Sequence, residues 1–171
     1  SSRERENRKG TYPYYGATSI MDYIDDFIFE GVHVLIGEDG SVVKEDGTPF
    51  MQYVWGKFWV NNHAHVLKGL NPVCDEHIYL HLLNENVTPY VTGAVQLKIN
   101  QANLKRIPFV RATNEVCLVF AEYVQPFFAK IRANSEQNQT LAALRDTLLP
   151  KLISGELRVT SATEPFKEPV G

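Results

Sequence analysis

Residues Asn134 to Val159, NSEQNQTLAALRDTLLPKLISGELRV, decide how this chain is built. Leu141, Leu144 and Leu148 recur at three- and four-residue spacing, and the row continues upstream through Asn138, Asn134, Ile131 and Phe127. That spacing is a coiled-coil seam, in which a buried Asn fixes register at some cost in stability. Further upstream the apolar row passes through Tyr123, Phe120 and Val116 to Thr113, an expected N-cap with Glu115 in the first turn. A helix from Thr113 to Leu149 would be about 55 Å long at 1.5 Å per residue. A preceding domain of roughly 110 residues, with a radius of gyration of about 13 Å, is too small to cover it. The length therefore argues for a partner helix rather than an amphipathic helix folded back on its own domain. Pro126 is expected to kink or break the helix, and Pro150 to disrupt its end. Gly155 suits a C-terminal cap before a strand-like ELRVT, and the tail from Ser161 is expected to be disordered.

Upstream of the helix the periodicity shortens. TYPYYGAT (Thr11 to Thr18) reads as a strand-edge and turn element, and Ile20 to Phe29 as either a short helix or an extended segment. Val32 to Ile36 is a β-branched run ended by a turn at Glu38-Asp39-Gly40. Phe58 to Leu67 alternates as one strand, with Val60, Asn62, Ala64 and Val66 on one face. Glu76 to Leu83 has helical spacing. Tyr90 to Gly93 and Leu97 to Ile99 flank a loop, followed by a short helix at Gln101 to Lys105 and a strand at Ile107 to Val110. The expected architecture is a mixed α/β domain over residues 1–112, then a helical region over 113–160 and a tail over 161–171.

Of the 171 residues, 44% are hydrophobic and 11% aromatic, enough for a real core. The net charge of −3 does not by itself announce a nucleic-acid binder, but the charge is uneven. Asp22 to Asp46 holds eight acidic residues against Lys44 alone, whereas Thr92 to Ala112 holds Lys98, Lys105, Arg106 and Arg111 with no acid. Phosphate affinity depends on such a local basic face rather than on the total. Cys74 and Cys117 lie far apart, with no disulfide framework, as in a reducing compartment, and Cys117 reads as a core residue. The polar start SSRERENRKG is unlike a signal peptide, and no apolar run approaches the roughly 20 residues that span a bilayer. A soluble cytoplasmic protein is expected.

Chemistry-bearing groupings are sparse. His63 and His65, with Cys74 and His77 nearby, could in principle bind a transition metal, and a small metal-dependent hydrolase using His63, His65 and His77 is one alternative. Their spacing matches no zinc module, and side-chain hydrogen bonding at a strand end is the preferred reading. Asp22, Asp25 and Asp26 lack the following Glu-x-Lys element of a nuclease and read as a solvated acidic face. There is no phosphate-binding glycine loop, nucleophile triad or Asn-Pro-Pro-Tyr methyltransferase motif. A coiled-coil adaptor that binds protein rather than DNA is a further alternative.

Five segments taken together carry a resemblance. They are YPYYGAT (Tyr12 to Thr18), IGEDGS (Ile36 to Ser41), GKFWVNNHAH (Gly56 to His65), TGAVQLKIN (Thr92 to Asn100) and LRDTLLPKLISGE (Leu144 to Glu156). In order and spacing the chain resembles the specificity subunits of type I restriction-modification systems over roughly Lys9 to Thr160. Leu97 stands where the family usually has Pro, and the frequent Pro-Leu-Pro…Glu-Gln signature after Pro108 is missing. The resemblance implies a non-catalytic target recognition domain followed by a conserved spacer helix that pairs in an antiparallel coiled coil. It implies recognition of half of a bipartite double-stranded DNA target, docking of modification (methyltransferase) subunits, and association with a restriction subunit. No cofactor is expected on this chain; S-adenosylmethionine would belong to the modification subunit, and ATP with magnesium to the restriction subunit. With one recognition domain and one helix, the chain would be a half-size subunit, homodimeric through the helix, or a fragment of a two-domain protein. For DNA, Lys57, Lys98, Lys105 and Arg106 are the expected phosphate contacts, and Asn62, His63, Gln96, Asn100 and Gln101 the expected base or sugar contacts. Tyr14 and Tyr15 are expected on the same surface or in the core. Phe127, Ile131, Asn134, Asn138, Leu141, Leu144 and Leu148 are the expected helix-pairing positions.

Overall fold

A computed structural model describes residues 8–158 of the chain. Seven strands come first: β1 (Lys9–Tyr15), β2 (Ile20–Ile24), β3 (Phe29–Glu30), β4 (His33–Gly37), β5 (Met51–Val54), β6 (Lys57–Val60) and β7 (Ala64–Leu67). Helix α1 (Asp75–Leu82), a 3-10 turn (Thr88–Tyr90), the short α2 (Gln101–Leu104) and the long α3 (Asn114–Ile153) follow. The fold is mixed α/β, as expected.

The strands form two sheets, β2-β1-β6-β3 and β5-β4-β7. The second is antiparallel throughout, while β1 and β6 run parallel in the first. The sheets meet face to face: Leu35, Val54 and Ala64 of one pack with Phe58 and Val60 of the other, under Tyr15, Phe29 and Val66. On its opposite face the second sheet is covered by α1, where the Tyr53 hydroxyl donates to Glu76 at 2.6 Å and the Tyr53 and Tyr79 rings lie 5.5 Å apart. A strand buried on both faces needs apolar side chains in both directions. Hence Val34, Leu35 and Ile36 form an uninterrupted run and are all fully buried. Each such side chain contributes about 1.5–3 kcal/mol of burial. A satellite core of Val42, Val87 and Ile99, with Leu104 and Ile107 against it, ties the β4–β5 connection to the segment before α2.

Several expectations need correcting. Residues 58–67 are not one strand. Asn61 accepts the His63 N–H on its side-chain oxygen at 2.9 Å, an Asx turn that competes with further extension. The chain therefore leaves the first sheet as β6 and enters the second as β7. Residues 20–29 resolve as β2, a loop and β3. β1 is internal rather than at an edge, and Pro13 is tolerated because β6 pairs only with Tyr14 and Tyr15. Residues 107–110 form no strand: Ile107 packs into the satellite core, Pro108 has no N–H to give a ladder, and its carbonyl accepts from His81 Nε2 at 2.8 Å.

Two compact units are distinguished, residues 1–125 and 126–171. The first includes the start of α3, where the Thr113 hydroxyl accepts the Val116 N–H at 3.4 Å and so caps the helix. The single apolar row expected through Val116, Phe120 and Tyr123 is divided between two faces. Cys117 and Val124 are buried and the Phe120 ring lies 5.2 Å from that of His77, while Val116 and Tyr123 are exposed. The helix continues through Pro126 and Pro150, ending four residues beyond the expected Leu149. Each proline removes one backbone bond, and the carbonyls so released belong to the exposed Glu122 and Asp146, where water can serve them. Gly155, at φ +75°, caps the end as expected, with its N–H on the Leu152 carbonyl at 3.2 Å. No strand forms at residues 156–158; the rest of the expected strand and the tail lie outside the described residues. No helix among the described residues is long and apolar enough to cross a membrane.

Burial lowers the proton affinity of two histidines, His33 against the Phe29 and Phe58 rings and His77 against Phe109 and Phe120. Below the ordinary imidazole value of about 6.5 the unfolded chain takes up these protons first. Stability that is complete above that pH should therefore decline as pH falls from about 6.5 towards the depressed folded values. Urea unfolding between pH 7 and pH 5 should show this decline, and the H33L/H77L double variant should flatten it. A slope unchanged in the double variant would refute burial of these rings as its source.

Candidate nucleic-acid interface

Four connections converge at one end of the two sheets: residues 16–19, 38–41, 61–63 and 92–98. Backbone bonds lace them together. Asn61 N–H donates to the Tyr15 carbonyl at 3.0 Å, Glu38 N–H to His63 at 2.8 Å and Gly40 N–H to Leu97 at 2.9 Å. Gln52 Nε2 donates to the Gly16 carbonyl at 2.9 Å, drawing in the β1–β2 turn. The 92–98 loop is closed at its base by reciprocal bonds, Thr92 N–H to Lys98 at 2.8 Å and Lys98 N–H to Thr92 at 2.7 Å. Next to that clasp Ile99 is fully buried and donates its N–H to the Glu38 carbonyl at 2.8 Å. The tip at Val95 and Gln96 is exposed.

Polar groups on this surface are matched pair by pair. Lys98 Nζ lies 3.0 Å from Glu38, which holds the ammonium above its ordinary value through a hydrogen bond and its charge. His63 Nδ1 donates to the Asp39 carboxylate at 2.7 Å. His65 Nε2 lies 2.7 Å from the Ile99 carbonyl; because a carbonyl can only accept, this nitrogen carries the hydrogen. Its Nδ1 stands 3.7 Å from Glu38. The Lys98 ammonium thus offsets Glu38, His63 hydrogen-bonds Asp39, and neutral amides occupy the exposed positions. A surface of this kind suits hydrogen bonding to base edges better than phosphate binding through net charge.

Asn62, His63, Gln96 and Lys98 come together here. Asn100 sits just behind, with its side chain accepting the Asn103 N–H at 2.9 Å as the cap of α2. Gln101 is exposed at the start of α2, and Lys105 and Arg106 are exposed just after it. Lys57 is not brought to the loops. It begins β6, at the end opposite the 61–63 turn, with its ammonium 4.5 Å from the Phe27 ring centroid. Tyr15 packs edge-on against Phe58 at 5.7 Å in the core, and Tyr14 is half-buried. On α3, Phe127, Ile131, Asn134, Asn138, Leu141, Leu144 and Leu148 are all exposed. Sequence reasoning missed Glu38, Asp39, His65 and Asn61 as parts of this surface. Asn61 alone left a local signal, an Asn two residues before the N–H it accepts.

The alternative metal and nuclease sets are not assembled. His63 and His65 face Asp39 and Glu38, whereas His77 packs between Phe109 and Phe120. Among the described residues no group of three or more His, Cys, Asp or Glu side chains is placed to hold a metal ion. Asp22 pairs with Lys9 at 3.0 Å, and Asp25 and Asp26 share Arg8 at 2.9 and 3.1 Å. Burial pushes the Cys74 thiol up, away from thiolate chemistry at neutral pH.

Residues 1–142 match the type I restriction modification DNA specificity domain. The chain belongs to that family. This specificity domain is 41% identical over 99 residues to a putative type I restriction enzyme specificity subunit of Haemophilus influenzae, covering 58% of the chain and 25% of that protein. Over 87 residues it is 31% identical to the type I restriction enzyme HindI specificity subunit of the same organism, covering 48% and 19%. It is also 29% identical over 132 residues to the MjaIX specificity subunit of Methanocaldococcus jannaschii, covering 74% and 29%. The chain thus spans between 19% and 29% of the length of these relatives.

Gly93 is decisive for the clasped loop. It sits at φ +92°, and a Cβ there would lie 2.1 Å from the Gln96 carbonyl oxygen, a backbone atom that cannot move aside cheaply. In the specificity domain Gly93→Ala should open the clasp, accelerating hydrogen exchange at the Thr92 and Lys98 amides at least tenfold while the Leu35 amide is unchanged. Undisturbed exchange at Thr92 and Lys98 would show that the clasp does not depend on this glycine.

Proposed function

We propose that this specificity domain reads one half of a bipartite double-stranded DNA target, without catalysis of its own, through the surface built by residues 16–19, 38–41, 61–63 and 92–98. The observation that carries the reading is the convergence of separate sequence landmarks on one polar, hydrogen-bonded surface, in a chain whose relatives are named as type I restriction enzyme specificity subunits. In this reading Asn62, His63 and Gln96 face base edges, and Lys105 and Arg106 reach phosphates from the α2 side. Modification subunits supply the methyl transfer from S-adenosylmethionine, and a restriction subunit supplies ATP- and magnesium-dependent cleavage. A cytoplasmic setting follows from that role.

Binding should be measured on the complex with its modification subunits. Asn62→Ala and Gln96→Ala should each cut the preference for the methylated half-site over scrambled duplex about tenfold, within the range of roughly 1–3 kcal/mol for a base-edge contact. Lys105→Ala with Arg106→Ala should weaken binding uniformly and reduce the slope of log affinity against log salt by about two. A complex without sequence preference, or one whose preference ignores Asn62 and Gln96, would overturn the assignment.

We further propose that α3 pairs antiparallel with a second helix, in a homodimer or in a longer subunit, and so spaces two DNA-reading domains. Support comes from the exposed row of Phe127, Ile131, Leu141, Leu144 and Leu148, interrupted by Asn134 and Asn138. Removing register-fixing asparagines frees alternative pairings. The N134L/N138L variant should change the association state seen by sedimentation equilibrium while leaving the near-ultraviolet dichroism of the first unit intact. Wild-type chain that stays monomeric at micromolar concentration would rule out the homodimer.

A further inference from the structure

Away from the loop surface, the first unit holds a cavity of about 850 Å³ between β7, α1 and residues 101–111. Its walls combine Ile78, Leu104 and Phe109 with the cations Lys68, Lys105 and Arg111, and no Asp or Glu among the described residues lines it. Lys68 is already matched by Asp75 at 2.7 Å. Lys105 makes no ion pair among the described residues, and Arg111 donates to the side-chain oxygen of Asn114 rather than to a carboxylate.

One wall is unusual. Residues 64–68 all line the cavity, although successive side chains of a strand point to opposite faces. What these residues share is the outer edge of β7, the last strand of its sheet. Bonded pairs alternate along an antiparallel ladder. Because Glu38 bonds to His63, the next bonded pairs with β4 are made by His65 and Leu67. The N–H and C=O groups of Ala64 and Val66 therefore point outward, and no described residue hydrogen-bonds them.

We propose that this edge and its cavity take an extended, acidic peptide segment of a partner protein, added to β7 as a further strand. Its backbone would bond Ala64 and Val66, one large apolar side chain would fill the space beside Ile78 and Phe109, and its carboxylates would meet Lys105 and Arg111. A nucleic acid or a small anion could satisfy the two cations but would leave the strand's amide edge unused. Lys105 is shared with the phosphate contact proposed above, whereas Arg111 and the strand edge are not, so Arg111→Glu and protection of the Val66 amide separate the two readings.

The test uses the full chain and the fluorescein-labelled peptide Glu-Val-Phe-Val-Glu-Val-Glu. Saturable binding by anisotropy is expected, with at least tenfold slower hydrogen exchange at the Ala64 and Val66 amides. Lys105→Glu and Arg111→Glu should each weaken binding at least tenfold. N-methylation of alternate peptide amides along one edge should abolish it, while methylation along the other edge should not. Absence of binding at millimolar peptide, or equal binding by both N-methylated forms, would overturn the proposal. So would displacement by adenosine monophosphate or duplex DNA without any protection of Val66, an outcome that assigns the cavity to an anion or a nucleic acid.

Discussion

The chain changes sheets at Asn61, and much of the first unit depends on that change. The Asn61 N–H bonds to the Tyr15 carbonyl and so prolongs the β1–β6 pairing by one residue. Its side-chain oxygen then holds the His63 N–H and turns the chain. An extended chain would carry residues 61–67 onward along the first sheet. The turn instead brings Ala64 back over Phe58 and Val60, where it helps close the space between the sheets. It also leaves the His63 carbonyl facing Glu38, which sets the β4–β7 register and with it the position of every loop at that end.

Placing acids where DNA is expected would ordinarily work against binding. Here the carboxylates have an internal use, because Glu38 and Asp39 fasten Lys98 and His63, which stand on two other loops. Solvent-exposed polar contacts of this kind add little stability. Their effect is therefore on geometry more than on stability: they orient side chains that backbone bonds have already brought together. Lys105 and Arg106, by contrast, are exposed just after α2 and make no ion pair among the described residues.

Local chemistry made parts of this architecture legible from the residues alone. The β-branched run at 32–36, the helical spacing at 76–83, the Thr113 cap and the Gly155 terminator each signal through neighbours within a few positions, and each has its structural counterpart in β4, α1 and the two ends of α3. Alternation misled at residues 58–67, because one Asn side-chain bond outweighs a pattern that is otherwise strand-like. Residues 107–110 misled in a similar way: an apolar run that looked like a strand is held by Ile107 in the satellite core. The division of the first turns of α3 into buried and exposed faces was hidden because apolar residues occupy both. At the candidate interface, polar loop residues such as Asn62 and Gln96 could be nominated from their surroundings. The partnerships of Glu38 with Lys98 and of Asp39 with His63 could not, since they join residues 60 and 24 positions apart through tertiary structure.

The clasp between Thr92 and Lys98 has an evolutionary side. The loop is attached near its base, through the reciprocal backbone bonds, the Gly40 N–H on the Leu97 carbonyl, the Lys98–Glu38 contact and the buried Ile99. Backbone bonds do not depend on the identity of Ala94, Val95 or Gln96, and these three side chains are exposed. Exchange of the tip residues would change what the loop presents without disturbing either core. The loop can drift in sequence while its scaffold stays still, so that if it reads DNA as proposed, a new preference would need only a point substitution and no refolding.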